Sequence, residues 1–269
     1  MNVAVVQMNS QDDVAANLAR VRALVVDAAR AGAEIVTLQE NFAFFGAEAK
    51  KREVAEILDD SASTGPILET LRAAARESQV HVVAGGMPEA SGDFDRPYNT
   101  SILVGLDGSI VARYRKVHLF DVDLPDGTKL LESGATRAGE VEAVVADVKG
   151  IKLGMTICYD VRFPELYRKL AVARIVTVPA AFTLTTGKDH WHVLLRARAI
   201  ENQVFIVAPA QHGHHPGGRR TYGKSLIVDP WGDVLAQCAE GEGFAMARLD
   251  FSQQDRVRAH LPCLSHRRM

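Results

Sequence analysis

Glu40, Lys116 and Cys158 occupy corresponding places in this sequence, each just past a strand-like run. Glu40 follows Ile35-Val36-Thr37-Leu38-Gln39, Lys116 follows Ala112-Arg113-Tyr114-Arg115, and Cys158 follows Leu153-Gly154-Met155-Thr156-Ile157. Loops past such strand ends converge at one edge of an α/β sheet, where ligands bind. A carboxylate, an amine and a thiol gathered there make a workable catalytic set. The thiol is the nucleophile, but at its ordinary pKa little of it is ionised near neutrality. A carboxylate within reach could take its proton and later pass it to a leaving amine. An ammonium could stabilise the thiolate and the oxyanion of a tetrahedral intermediate. A helix-start signal follows at Phe163-Pro164-Glu165, so backbone N–H groups, that of Tyr159 among them, could assist. Taken singly, each residue has a plainer role: a small buried hydrophobe for Cys158, the partner of a surface arginine for Glu40, a solvated basic face for Lys116 with Arg113 and Arg115.

The elements that must position these groups alternate between strand and helix patterns. Val3–Met8, Glu34–Leu38, Val80–Ala84, Arg174–Pro179, Val204–Ala208 and Phe244–Leu249 read as strands. Gly85-Gly86 reads as the close of the third of these. Val14–Ala31, Ile67–Ser78, Asp189–Glu201 and Phe251–His260 read as helices, with Ala47–Leu58 a weaker one. Ser63-Thr64-Gly65-Pro66 reads as the opening of the second helix. Asp107-Gly108, Lys149-Gly150 and Asp229-Pro230-Trp231-Gly232 join apolar runs as hairpins: Tyr98–Gly105 with Ile110–Tyr114, Val141–Val148 with Ile151–Ile157, and Lys224–Val228 with Asp233–Gln237. Hairpins mixed with βα units imply α/β layers with mixed sheets. No linker-like break interrupts the chain, which favours one domain. Lys116–Gly139 is the least regular stretch, and long irregular loops in compact domains are commonly functional.

The composition is that of a globular protein: 47% hydrophobic and 24% charged over 269 residues. A net charge of −2 gives no footprint for nucleic acid or an acidic membrane. No apolar run approaches the roughly 20 residues of a membrane span. Met1-Asn2-Val3-Ala4-Val5 reads at once as a strand and lacks the basic start of a secretion signal. Cys158, Cys238 and Cys263 are odd in number and far apart, which suggests free thiols in a reducing cytoplasm, with Cys238 and Cys263 structural.

The words around the three reactive residues sharpen the reading. Leu38-Gln39-Glu40-Asn41-Phe42, Tyr114-Arg115-Lys116-Val117-His118-Leu119-Phe120 and Gly154-Met155-Thr156-Ile157-Cys158-Tyr159-Asp160-Val161-Arg162-Phe163-Pro164-Glu165 resemble, in order, the three signature blocks of the nitrilase superfamily of carbon–nitrogen hydrolases. The resemblance covers nearly the whole chain. It implies a four-layer αββα sandwich, with two mixed β-sheets between outer helices. It implies a triad of Glu40, Lys116 and Cys158, and a second glutamate in the loop after the lysine, which Glu132 matches, to orient Lys116. The implied reaction is covalent. Cys158 attacks an amide carbonyl as Glu40 takes its proton, Lys116 and the Tyr159 N–H hold the oxyanion, ammonia leaves, and water hydrolyses the thioester. No metal or organic cofactor is required. The resemblance also implies a homodimer or larger homo-oligomer, with the helix after Cys158 and the segment from about residue 250 to 269 at the interface.

Ala181-Phe182-Thr183-Leu184-Thr185-Thr186-Gly187, His190-Trp191 and Tyr222-Gly223-Lys224-Ser225 look like blocks of the keto-acid amidases within the superfamily. That group acts on deaminated glutathione or on α-ketoglutaramate. Ala208-Pro209-Ala210-Gln211-His212-Gly213 leans toward the first type. Such substrates are anionic, so a cation is expected at the site. Arg162 could clamp a carboxylate with its two-pronged guanidinium, or could instead pair with Glu165 or Asp160 and hold the turn. Arg219 and Arg220 are weaker candidates. Phe182 and His190 are taken as substrate-binding, and Phe182 and Trp191 could wall the pocket or pack in the core. His212, His214 and His215 beside Pro216-Gly217-Gly218 read as a loop over the site sooner than as a metal site. Two other uses of the fold stand against this reading: nitrile hydrolysis by the same thiol, and a catalytically silent interaction protein.

Overall fold

In β1 (Asn2–Met8), Val3 and Val5 face one buried cluster while Ala4, Val6 and Met8 face another. A strand apolar on both faces must lie inside a layered fold. The computed structural model describes residues 1–58, 65–124, 127 and 129–268. The Ser63-Thr64 part of the expected helix opening lies outside them.

Helix α1 (Val14–Arg30) is capped by Asp13, whose side chain accepts the Ala16 N–H. It leads to β2 (Ile35–Leu38), α2 (Pro66–Ser78), β3 (His81–Glu89), β4 (Tyr98–Val104) and β5 (Ile110–Arg115). A small hairpin, β6 (Asp121–Asp123) and β7 (Lys129–Leu131), precedes β8 (Val145–Val148) and β9 (Ile151–Met155). Then come α3 (Pro164–Lys169), β10 (Ile175–Thr177), α4 (Leu184–Asn202), β11 (Phe205–Ala208), β12 (Ala210–His214), β13 (Arg220–Tyr222), β14 (Leu226–Val228), β15 (Val234–Gln237), β16 (Gly243–Arg248) and α5 (Phe251–His260).

Two mixed sheets result. The first runs β13-β12-β1-β2-β3-β4-β5, with β16 antiparallel to β1; the second runs β15-β14-β11-β10-β9-β8. Helices α1 and α2 bury Leu18, Val21, Leu24, Ile67, Leu68 and Leu71 against the outer face of the first sheet. The inner faces meet through Val5, Ile35 and Val83 on one side and Leu153, Met155 and Ile175 on the other. Leu166 and Tyr167 of α3, with Trp191 and Leu195 of α4, close the far side. The architecture is the four-layer αββα sandwich.

Several elements differ from their sequence expectation. Strand β3 continues through Gly85-Gly86 to Glu89, with a register shift between Ala84 and Met87, so the glycines make a bulge and not an end. The weak helix over Ala47–Leu58 is a 3-10 helix over Glu48–Val54. Helix α4 begins five residues early because Thr183 caps it, accepting the Thr186 N–H. Lys116–Gly139 contains the β6–β7 hairpin and a 3-10 turn over Glu132–Gly134. The histidine stretch forms β12 and its hairpin to β13, where His215 is buried between the Ser10 carbonyl (2.8 Å) and the Thr221 hydroxyl (2.7 Å).

Candidate active site

Strand direction gathers the reactive residues. β2 is parallel to β3, β4 reverses and β5 reverses again, so the C-terminal ends of β2 and β5 share an edge. Glu40 lies just beyond β2 and Lys116 just beyond β5. Beyond β10, Ala180 bridges to Ala210 and Thr183 to Thr221, so this segment links the second sheet to the first near Glu40. The Cys158 N–H donates to the Pro179 carbonyl at 2.8 Å, which ties the Cys158 turn to that same segment.

Lys116 is fully buried and its Nζ is hydrogen-bonded on three sides. It reaches Glu40 Oε1 at 2.9 Å, Glu132 Oε1 at 3.0 Å and Glu132 Oε2 at 2.8 Å. The Phe120 N–H donates to Glu132 Oε2 at 2.7 Å. Asn99 donates to Glu40 Oε1 at 2.9 Å and to Glu132 Oε1 at 3.3 Å, so one amide joins both carboxylates. Glu40 Oε2 accepts the Ala181 N–H at 3.0 Å. Glu40, Lys116 and the Ala181 N–H are the groups that act on the buried Cys158 thiol.

Cys158 has φ +46°, a left-handed conformation that costs an ordinary residue roughly 1–3 kcal/mol. Buried Asp160 holds this turn in place. Its carboxylate accepts the Ile157 N–H (2.8 Å), the Tyr114 hydroxyl (2.8 Å) and the His118 N–H (3.2 Å), and contacts His118 Nδ1 (2.7 Å). The Cys158 turn is thereby fixed to both flanks of Lys116. Gln211 does the same for Glu40, donating to the carbonyls of Glu40 (3.0 Å) and Asn41 (3.1 Å).

The charges decide the resting protonation. Burial alone would lower Lys116, but Glu132 and Glu40 outweigh it and hold its pKa well above the ordinary value. Burial would raise Glu132; Lys116, Lys51 and the Lys116 and Phe120 hydrogen bonds hold it below its usual range. For Cys158, burial and the Glu40 charge push the thiol well up, and Lys116 offsets them only in part. Cys158 therefore rests as a neutral thiol under the influence of the Glu40 carboxylate, in keeping with a thiol that is little ionised until a carboxylate takes its proton.

The site opens into a cavity of about 750 Å³ lined by the four residues above together with Tyr159 and Phe182. Phe182 packs on buried Trp191 with ring centres 5.0 Å apart, and the Trp191 N–H donates to the Lys224 carbonyl, so Trp191 is a core residue behind the wall. Arg162 and His190 are not among the lining residues. The 3-10 turn over Cys158–Arg162 carries Arg162 away from the cavity, where its guanidinium lies over the Tyr159 and Phe182 rings and meets His190 Nδ1 at 3.3 Å. Arg162 makes no ion pair with Glu165 or with Asp160, whose carboxylate is taken up by Ile157, Tyr114 and His118. The cations that do line the cavity beyond Lys116 are Lys50, Lys51, Lys129, Arg219 and Arg220.

The bulge in β3 explains how Glu40 and Asn99 meet. Gly86 has φ +51°, and a methyl group there would stand 2.7 Å from both Asn99 Oδ1 and Glu40 Cγ. Beside it, a methyl group on Gly85 would fall 1.9 Å from Pro179, where the sheets close over the site. Gly86→Ala is expected to lower kcat about 100-fold by displacing the Glu40 carboxylate, since an error of about 1 Å has that cost. Steady-state kinetics beside a far-ultraviolet spectrum checks this, and unchanged turnover would refute it.

The carbon–nitrogen hydrolase family profile matches residues 2–259. The chain belongs to the carbon–nitrogen hydrolase family. This hydrolase is 46% identical to the deaminated glutathione amidase of Synechocystis sp., over 98% of this chain and 97% of that one. Its fold matches the crystal structure of Saccharomyces cerevisiae Nit3, described as a member of branch 10 of the nitrilase superfamily. That match has a TM-score of 0.90 and 32% identity, over 100% of this chain and 97% of that one. It also matches an amidase variant from Nesterenkonia sp. AN1 in which acrylamide has added to the active-site cysteine. There the TM-score is 0.79 and the identity 27%, over 97% of this chain and 98% of that one. The hydrolase is thus an enzyme that cleaves amide carbon–nitrogen bonds. Among the described residues, no helix is long and apolar enough to cross a membrane. Its three cysteines are free.

Proposed function

We propose that this hydrolase cleaves deaminated glutathione through a thioester on Cys158, with Glu40 as general base and acid, Lys116 and the Tyr159 N–H as oxyanion donors, and Glu132 orienting Lys116. The observation that carries this reading is the buried Glu40–Lys116–Glu132 chain of charges, whose Glu40 and Lys116 both act on the buried thiol. In the first step, a C–S bond forms as the Sγ proton passes to Glu40. The tetrahedral oxyanion then collapses, the C–N bond breaks and Glu40 protonates the nitrogen. In the second step, water attacks the thioester and gives its proton to Glu40. The C–S bond breaks, and the sulfur recovers a proton. Asn99, which no sequence signal revealed, keeps both carboxylates at fixed distance from Lys116.

Deaminated glutathione carries a keto group where glutathione has its amino group, and its scissile amide joins the keto-acid chain to cysteinylglycine. The amine that leaves is then a dipeptide, and ammonia is the product expected of α-ketoglutaramate. Parallel rates on deaminated glutathione, α-ketoglutaramate, N-carbamoyl amino acids and simple nitriles test the reading. Highest kcat/KM on deaminated glutathione is expected. A preference for an N-carbamoyl compound or a nitrile would overturn the substrate while leaving the thiol chemistry.

The whole chain is read as one hydrolase domain acting in the cytoplasm as a homodimer or larger homo-oligomer. Exposed Val193 and Ile200 of α4, with Trp231 whose neighbour Gly232 lies against Ile200, support a subunit contact at α4.

A further inference from the structure

Beyond the catalytic floor, the cavity wall is electropositive. Glu48 sits between Lys51 at 2.7 Å and Arg219 at 2.5 Å. Burial would raise Glu48, but these two cations hold its pKa down to about 2. Lys51 also faces Glu132, so the surplus positive charge of this wall rests on Lys50 and Arg220. Exposed Lys50 and Arg220 line the same cavity, and no carboxylate among the described residues pairs with either. Asp12 is the remaining acid of this part of the lining.

Arg219 is held ready for a ligand. Its guanidinium lies over the Phe45 ring at 5.5 Å, and Phe45 stacks on His215 at 4.0 Å. His215 is itself clamped by Ser10 and Thr221. A guanidinium fixed in this way loses little freedom on binding an anion.

We propose that Arg219, Arg220 and Lys50 form a subsite for a carboxylate on the leaving amine, so that the preferred substrates are amides of amino acids or peptides. This rests on the thioester reading above. In a two-step reaction the amine must depart before water enters, so it occupies the solvent side while the acyl group stays on buried Cys158. The cations stand on that side: Lys50 and Arg220 are exposed, whereas Glu40, Lys116 and Cys158 are buried. Ammonia offers these cations nothing to bind. A cavity of about 750 Å³ also accommodates an acyl chain and a dipeptide together.

The test compares kcat/KM for deaminated glutathione with that for the same compound bearing a carboxamide in place of the glycyl carboxylate. The unaltered enzyme should favour the free carboxylate by about 10- to 100-fold, as for a charge-assisted contact. Arg219→Gln with Arg220→Gln should erase the preference, and Arg220→Gln alone, at an exposed position that leaves the Glu48 bridge intact, should reduce it. Hydrolysis of both compounds at equal efficiency by the unaltered enzyme, or a preference that survives both substitutions, would overturn the subsite alone. Failure of the unaltered enzyme to hydrolyse deaminated glutathione, with α-ketoglutaramate still cleaved, would overturn the substrate reading and the subsite with it.

Discussion

Glu40→Gln should lower kcat/KM about 1,000-fold or more, within the range for removing a general base, and should at the same time speed alkylation of Cys158. The two effects run in opposite directions for one reason. In the proposed reaction Glu40 accepts the thiol proton, and glutamine cannot take it in either half of the reaction. Yet the Glu40 charge is also, after burial, the main influence that keeps the thiol protonated. Removing it leaves Lys116 to favour the thiolate, so the variant should react faster with iodoacetamide near neutral pH while turning over slowly. Glutamine keeps the volume, and its carbonyl can still accept from Lys116, so the fold should stand. Retained turnover, or alkylation that slows in step with turnover, would contradict the assignment of Glu40.

Lys116→Met should be the most destabilising substitution in the site and should also abolish most activity. It leaves Glu40 and Glu132 joined through Asn99 with no cation between them, and stranding buried charge costs about 3–5 kcal/mol. Loss of an oxyanion donor adds a fall of about 100- to 1,000-fold in kcat. The pH dependence separates this from a simple packing defect. In the unaltered enzyme Glu132 is depressed, so its contribution is present above its unfolded pKa of about 4.3 and is lost as pH falls through the lower folded value. Lys116 is raised, so its contribution is present below its unfolded pKa of about 10.4 and is lost as pH rises through the folded value. The unaltered site therefore favours the fold fully between those limits. In the variant, one carboxylate is pushed up by its neighbour and by burial, so stability should increase as pH falls from 7 to 5. Denaturant titrations at the two values decide this, and an equal deficit at both would mean the charges are not coupled as described.

The strand ends were legible because each reactive residue closes a run that alternates or stays apolar through a layered core. Helices α1 and α5 were legible to within a residue because Asp13 and Asp250 cap them. Gly85-Gly86 misled because glycine reads as a break, whereas here it admits Asn99 to Glu40 and lets Pro179 approach. The start of α4 at Leu184, five residues before the expected Asp189, was hidden because threonine and glycine are weak helix formers and the Thr183 cap makes the start. Arg162 shows the limit of nearness along the chain. It lies four residues from Cys158, yet one tight turn carries it away from the cavity, while Asn99, Lys51 and Arg219 arrive from distant segments. No local pattern marks Asn99 or Lys51, because tertiary contacts alone bring them to the site, whereas Arg219 is already a candidate cation in the sequence.

The central claim is an acyl group on Cys158. The direct measurement is mass spectrometry of the enzyme acid-quenched during turnover, followed by peptide mapping. The account predicts one adduct, on the peptide bearing Cys158, of identical mass whether the substrate is deaminated glutathione or α-ketoglutaramate, because both leave the same keto-acyl group. Steady turnover with no adduct after the fastest quench and at low pH, or an adduct on Cys238 or Cys263 with Cys158 unmodified, would contradict it.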